Sequence, residues 1–91
     1  MPEVKIYALS YCPWCKKTKK FFADRGIAVQ IVDYDLVTPA EQLAIIKEIR
    51  PHSGGDVSFP CTIINGTYVI GHHPERYIEL LGLNEQASAH G

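Results

Sequence analysis

Residues 10–22, SYCPWCKKTKKFF, set Cys12 and Cys15 two residues apart, with Pro13 and Trp14 between them and four lysines behind. The stretch just before them alternates. Val4, Ile6 and Ala8 fall on one side and Lys5, Tyr7 and Leu9 on the other, as in a short strand near a sheet centre. From Pro13 the period changes: Trp14, Thr18, Phe21 and Phe22 recur at helical spacing, and Gly26 after Asp24-Arg25 supplies a left-handed stop. A helix of about three turns is predicted. Cys12 then sits where strand hands over to helix, with its sulfur aimed at unpaired N–H groups and the positive end of the helix dipole. The thiolate is the nucleophilic form of cysteine, and such a position lowers the thiol pKa below its usual value of about 8.5. Cys12 is the expected attacking thiol. Cys15, one turn further in and directed at the helix body, keeps its proton longer and is the expected resolving thiol.

Other readings of the pair exist. A C-x-x-C is also half of a zinc site, but the chain has no second C-x-x-C and no H-x₃₋₅-H to complete one. A permanent bridge across two residues closes too small a loop to constrain the unfolded chain much. Lys16, Lys17, Lys19 and Lys20 read either as the solvated face of an amphipathic helix or as a field that steers partners.

Outward from the cysteines, Ala28 to Tyr34 is rich in β-branched residues and is expected to be a second strand. Thr38-Pro39-Ala40-Glu41 supplies an N-cap, a first-turn proline and the returning glutamate of a capping box, so a second helix starts there. Leu43, Ile46 and Ile49, with Ala40, are its expected buried face, and Pro51 with Ser53-Gly54-Gly55 breaks it. Cys61–Asn65 and Thr67–Ile70 are short apolar runs joined through Asn65-Gly66, a strong hairpin signal for an antiparallel pair. Pro74 opens a last helix, Glu75 to Leu81, with Tyr77, Ile78 and Leu81 towards the sheet and Gly82 as its stop. The order is β-α-β-α-β-β-α, with a right-handed crossover in the first β-α-β unit making a parallel pair. Residues 1–83 form one expected domain and 84–91, which include His90, a flexible C-terminal tail.

The 91 residues carry a formal charge of −1, with 46% apolar and 21% charged residues, an ordinary globular composition. A near-neutral total leaves no nucleic-acid footprint, and no apolar run approaches the roughly 20 residues of a membrane helix. The start, MPEVKIYALS, lacks the layout of a secretory signal, so a cytoplasmic location is expected. Three cysteines in such a chain point to thiols with chemistry to perform rather than to a stapled scaffold.

Together, C-P-W-C after "IYALSY", Ser58-Phe59-Pro60, the "INGTYVIG" hairpin and the closing helix resemble a glutaredoxin of the thioredoxin-like superfamily, over about residues 3 to 83. The resemblance implies an α/β thioredoxin-like (glutaredoxin) fold, a four-stranded mixed sheet flanked by three helices. It implies a thiol-disulfide oxidoreductase that reduces protein disulfides or glutathione mixed disulfides and serves electron transport and cell redox homeostasis. By the same resemblance the bond before Pro60 is cis, Pro60 lies against the cysteine pair, and the Phe59 backbone pairs with bound peptide or glutathione. Tyr11, Pro13, Trp14, Gly71 and His72 complete the expected substrate-binding set around catalytic Cys12 and Cys15.

The chain departs from the family where glutathione would bind. Glutathione-binding members usually carry a lysine a few residues before the first cysteine, a T-V-P, and a G-G followed by acidic residues. Here these places read Leu9, Ser58-Phe59-Pro60 and Gly71-His72-His73-Pro74-Glu75. His72 and His73 supply positive charge only when protonated, near an unperturbed pKa of about 6.5. The G-x-x-P-E pattern is similar to that of redoxins served by thioredoxin reductase, so glutathione and thioredoxin reductase both stand as electron donors. No metal or organic cofactor is required by this chemistry, and a monomer acting on disulfide-containing proteins is expected. Cys61 reads as a small buried core residue, or as a third thiol exchanging with the pair or joining a soft-metal site. A metal or iron-sulfur carrier using Cys12, Cys15 and Cys61 is the alternative function. The two histidines read as an exposed loop pair. Trp14 and Tyr11 read as packing groups or as aromatic contacts for the bound partner.

Overall fold

In the computed structural model, which describes residues 2–83, five-residue strand β1 (Val4–Ala8) leads into helix α1 (Pro13–Asp24). Strand β2 (Gln30–Asp33), helix α2 (Pro39–Ile49), strands β3 (Cys61–Ile64) and β4 (Thr67–Ile70) and helix α3 (Pro74–Leu81) follow. The four strands form one sheet in the order β2-β1-β3-β4. β1 runs parallel to β2 and antiparallel to β3, and β3 pairs antiparallel with β4. This is the mixed sheet with three helices that the sequence predicts. The expected tail at 84–91 lies outside the described residues. Among the described residues no helix is long and apolar enough to cross a membrane.

The central position of β1 explains its two-sided burial. Val4, Ile6 and Ala8 point into a core shared with Cys15, Phe21 and Phe22 of α1 and Tyr77 and Ile78 of α3. Tyr7 points the opposite way, to a second core formed with Cys61 and with Ile45 and Ile49 of α2. Period-2 alternation thus assigns α1 and α3 to one face and α2 to the other. The rings of Phe21, Phe22 and Tyr77 meet pairwise with centroids 5.0–5.3 Å apart, locking α1 against α3. A fully buried aromatic of this kind contributes about 1.5–3 kcal/mol relative to exposure.

The helix signals act as the sequence indicates. Thr38 Oγ1 accepts from the Glu41 amide at 3.2 Å while Glu41 Oε1 accepts from the Thr38 amide at 3.3 Å, a reciprocal capping box. Gly82 ends α3 in the left-handed conformation at φ 71°. Asn65 and Gly66, both at positive φ, turn the β3-β4 hairpin.

Three expectations are corrected. Of the expected inner face of α2 only Ile49 is buried: Leu43 is 55% exposed, Ala40 is exposed and Ile46 half-buried, and Ile45 is the residue that joins Ile49 inside. The cause is Glu48, whose carboxylate turns inward to accept from the hydroxyls of Tyr7 and Tyr68, each at 2.6 Å. A polar residue on the inner face rotates the helix relative to its purely apolar stripe. Second, β2 is shorter than Ala28–Tyr34, because the chain tightens into a 3₁₀ turn at Tyr34–Leu36. Third, Trp14 does not join the inner face of α1. Phe21, two turns on and on the same side, is covered by Tyr77, whereas Trp14 lies beside His72 of the loop before α3, with Lys17 over its ring, and stays 55% exposed.

Candidate active site

Cys12 is the N-cap of α1, in extended conformation at φ −85°, ψ 123°, with Pro13 in the first turn. Its Sγ accepts from the Cys15 amide at 3.4 Å, taking the place a serine or aspartate oxygen fills at other helix starts. The Cys12 amide is itself fixed, donating to Leu9 O at 3.1 Å. Cys15 is buried, and its Sγ accepts from the Leu9 amide at 3.3 Å. One strand end therefore holds both cysteines.

The two thiols are driven apart electrostatically. At Cys12 partial burial works against the anion, but hydrogen bonds from the Cys15 amide, the Cys15 thiol and the Trp14 amide, with the Lys19 charge, outweigh it and lower the pKa. At Cys15 burial raises the pKa, the Leu9 amide opposes this only in part, and the neighbouring Cys12 adds to it; the value is pushed up to about 11. The surroundings thus favour the anion at Cys12 relative to a free thiol and the protonated form at Cys15. All three cysteines are free thiols.

Beside the pair lies a groove of about 300 Å³ lined by Trp14, Phe59, Pro60, Gly71, His72 and His73. The Phe59-Pro60 bond is cis, and Pro60 is fully buried. The Phe59 ring rests on Tyr34 with centroids 5.0 Å apart. Gly71, at φ 93°, donates its amide to Pro60 O at 2.8 Å, and a Cβ there would come within 3.0 Å of the His73 ring. Tyr11 is 69% exposed and does not line the groove, and Pro13 is exposed on the first turn. Of the nine predicted site residues, Trp14, Phe59, Pro60, Gly71 and His72 converge on the groove, and Cys12, Pro13 and Cys15 form the helix start behind it.

A model of the glutaredoxin family matches residues 4–69. The chain belongs to the glutaredoxin family. An uncharacterised monothiol glutaredoxin of Caenorhabditis elegans is 32% identical over 81 residues, 88% of this chain and 53% of that protein. The chain spans about half the length of that relative. Among solved structures, the glutaredoxin of Methanosarcina mazei Go1 superposes with a TM-score of 0.81 at 38% identity, covering 89% of this chain and 79% of that one. Methanoredoxin of Methanosarcina acetivorans gives a TM-score of 0.80 at 36% identity, over 89% and 85%.

Several of this glutaredoxin's site features were hidden in the sequence. His72 is not an exposed loop residue: it is half-buried, with Nδ1 2.7 Å from Oγ1 of buried Thr18 and its ring 5.9 Å from that of Trp14. Burial, then the charges of Lys17 and His73, lower its pKa, so a cation near the ordinary pKa is not what it offers. Thr18, a polar residue three positions after Cys15 on an otherwise apolar face, was the available signal for this contact. Of the four lysines, Lys16, Lys17 and Lys20 are exposed, as a solvated helix face predicts, and Lys19 is half-buried. Lys19 pairs with Asp33 at 3.0 Å, Lys20 with Asp24 at 2.7 Å, and Lys17 lies 4.3 Å from the centre of the Trp14 ring. Cys61 is buried on the α2 face of the sheet, opposite Cys15, with its pKa pushed up to about 12 by burial and by Glu48. The three sulfurs do not converge, and among the described residues no group of three or more His, Cys, Asp or Glu is placed to hold a metal ion.

Proposed function

We propose that this protein is a dithiol thiol-disulfide oxidoreductase that reduces disulfides of protein substrates, with Cys12 as nucleophile and Cys15 as resolving thiol. The observation that carries this reading is the opposite treatment of two sulfurs one helical turn apart: Cys12 bonded by the Cys15 amide and lowered in pKa, Cys15 buried and raised. The Cys12 thiolate attacks one sulfur of the substrate disulfide. The substrate S–S bond breaks, its other sulfur leaves as a thiolate and takes a proton, and a mixed disulfide joins Cys12 to the substrate. Cys15 then gives up its proton and attacks the Cys12 sulfur, expelling the second substrate thiolate. Two electrons have passed to the substrate, and the protein holds a Cys12–Cys15 disulfide.

A two-electron donor must reopen that bond. The groove lining contains no lysine or arginine, and this supports thioredoxin reductase over glutathione as donor, because a glutathione carboxylate wants a cation. The reducing cytoplasm is the compartment this chemistry suits. The test compares two coupled assays on the same preparation: reduction of a protein disulfide driven by thioredoxin reductase, and reduction of a glutathione mixed disulfide driven by glutathione. Activity in the first that is abolished by Cys12→Ser supports the reading. Absence of thiol-disulfide exchange in both assays overturns it.

A further inference from the structure

Of the four lysines behind the cysteine pair, Lys19 alone is withdrawn from solvent. Its ammonium lies 3.0 Å from Asp33 Oδ1, with 26% and 25% of the two side chains exposed. The exchange chemistry of Cys12 and Cys15 does not by itself require this ion pair.

The sheet fixes where the ion pair sits. Asp33, the last residue of β2, is the register partner of Ala8, and parallel partners share a face, here the one covered by α1. Leu9, the residue after Ala8, donates its amide to Cys15 Sγ at 3.3 Å. From the helix side, Lys19 follows Cys15 by four positions, so the two share one face a turn apart. Long helical side chains lean back towards the N-terminus, so the Lys19 stem runs over the turn that holds Cys15, and Asp33 meets its end. Strand end and helix turn together bring one half-buried cation beside the second thiol.

That charge reaches both sulfurs: Lys19 favours the anionic form of Cys12 and of Cys15. Lys16 and Lys17, nearer in sequence, are exposed, and water screens them. The other titratable groups around the thiols are Asp35 after β2, which also feels Lys19, Tyr77 of α3 in the Cys15 core and His72 against Thr18. None of these is a cation at neutral pH, since burial lowers the His72 pKa.

We infer that Asp33 is a positioning residue for the resolving step: it draws the Lys19 ammonium back along α1 to Cys15, where the positive charge steadies the sulfur anion that attacks the mixed disulfide. A lysine head is compact and strongly hydrated on a flexible stem, so without Asp33 it moves out into water and loses its hold on the sulfur. The step keeps its balance: Cys15 loses its proton to water, its sulfur bonds to Cys12 Sγ, and the substrate thiolate leaves. The inference rests on Cys15 being the resolving thiol of the proposed function. Asp33 has two effects of opposite sign on that thiol, a direct repulsion of the anion and an indirect support through Lys19, of which the second is the larger.

A single-turnover experiment separates the two. Reduced full-length protein is mixed at pH 7 with one equivalent of dithiobis(nitrobenzoate), whose aryl thiolate is coloured. Cys12 releases the first thiolate, and Cys15, attacking the resulting mixed disulfide, releases the second at a rate independent of protein concentration. Lys19→Met and Asp33→Asn should each slow the second release about threefold, the size expected of one partly screened charge. Lys19→Arg should keep the native rate, and Lys16→Met, which removes an exposed charge, should leave it unchanged. Added to Lys19→Met, Asp33→Asn should bring no further slowing. A role confined to stability would lower the melting temperature of Asp33→Asn and leave the second release as it was. A native rate of second release in Lys19→Met, or a native or faster one in Asp33→Asn, overturns the inference. If the native protein releases only the first thiolate, Cys15 does not resolve, and the proposed function falls together with the role of Asp33.

Discussion

Asp35 holds Ser10 twice, its Oδ1 accepting from the Ser10 amide at 2.8 Å and its Oδ2 from the Ser10 hydroxyl at 2.5 Å. These bonds tie the turn after β2 to the loop that carries Cys12, across 25 residues of sequence. The hydroxyl and amide of Ser10 lower the Asp35 pKa, so the tether is present above the ordinary carboxylate pKa of about 3.9 and is lost as pH falls through the lower folded value. Asp35→Ala should therefore speed amide hydrogen exchange at Ser10 at every pH, whereas the native protein should show that loss of protection only in acid. Because the side chain is solvated, the melting temperature should move little. Unchanged exchange at Ser10 in Asp35→Ala shows that the loop is held by other means.

The thiols of Cys12 and Cys15 should titrate on opposite sides of free cysteine. Cys12 is lowered despite partial burial by the Cys15 amide, the Cys15 thiol, the Trp14 amide and Lys19, and Cys15 is raised to about 11 by burial and by Cys12. Alkylation of the reduced protein at pH 6.5 should label Cys12 almost alone, with a rate midpoint below about 8.5. In Cys12→Ser, labelling at that pH should nearly cease. Cys15→Ser should retain the first exchange and accumulate the mixed disulfide with a protein substrate, because nothing remains to resolve it. Equal labelling of both thiols at pH 6.5 sinks the assignment of roles.

How much of this was readable in the chain depended on whether the cause was local. The Thr38–Glu41 capping box, the Asn65-Gly66 turn, the Gly82 stop and the Cys12-Pro13 helix start each depend on residues within a few positions of one another, and the structure has all of them where the sequence puts them. Contacts between distant segments left no such mark. Nothing near Asp35 announces Ser10, and nothing near His72 announces Thr18, 54 positions away. The misplaced face of α2 has the same origin: apolar spacing favoured Leu43, but the two tyrosines that draw Glu48 inward lie 41 and 20 positions from it. Apolar periodicity finds a helix face only when no polar group has a partner inside.

Glu48 is itself a testable feature of stability. Burial works against its charge, but the hydroxyls of Tyr68 and Tyr7, with Lys5 and His52, outweigh that and lower its pKa. Its contribution is accordingly present above about pH 4.3 and lost as pH falls through the lower folded value. Glu48→Ala removes two charge-assisted hydrogen bonds and leaves two tyrosine hydroxyls short of a partner, an expected cost of about 2 kcal/mol in denaturant unfolding. The loss should shrink in acid. Since Tyr7 belongs to the core opposite Cys15, the rate of Cys12 alkylation should not change; a changed rate contradicts the separation of the two faces.

Cys61 gives the sharpest check on that separation. It follows Pro60 directly, yet it packs with Tyr7, Ile45 and Ile49 on the α2 side of the sheet and is fully buried. A thiol whose folded pKa is raised, here to about 12, contributes stability that is complete below the unfolded value of about 8.5 and is lost as pH rises towards the folded one. The slope due to such a group is about 1.4 kcal/mol per pH unit over that window. Cys61→Ala should cost about 1 kcal/mol at pH 7 through lost packing. The difference from the native protein should shrink above pH 8.5, vanish near about pH 9 and reverse by pH 10, because the variant no longer carries this buried acid, while Cys15 loads both proteins alike. Disulfide reduction by Cys61→Ala should match the native rate. A fall in that rate, or a Cys61 disulfide with Cys12 or Cys15 in the oxidised native protein, places the third sulfur within reach of the pair and overturns its assignment to the far side of the sheet.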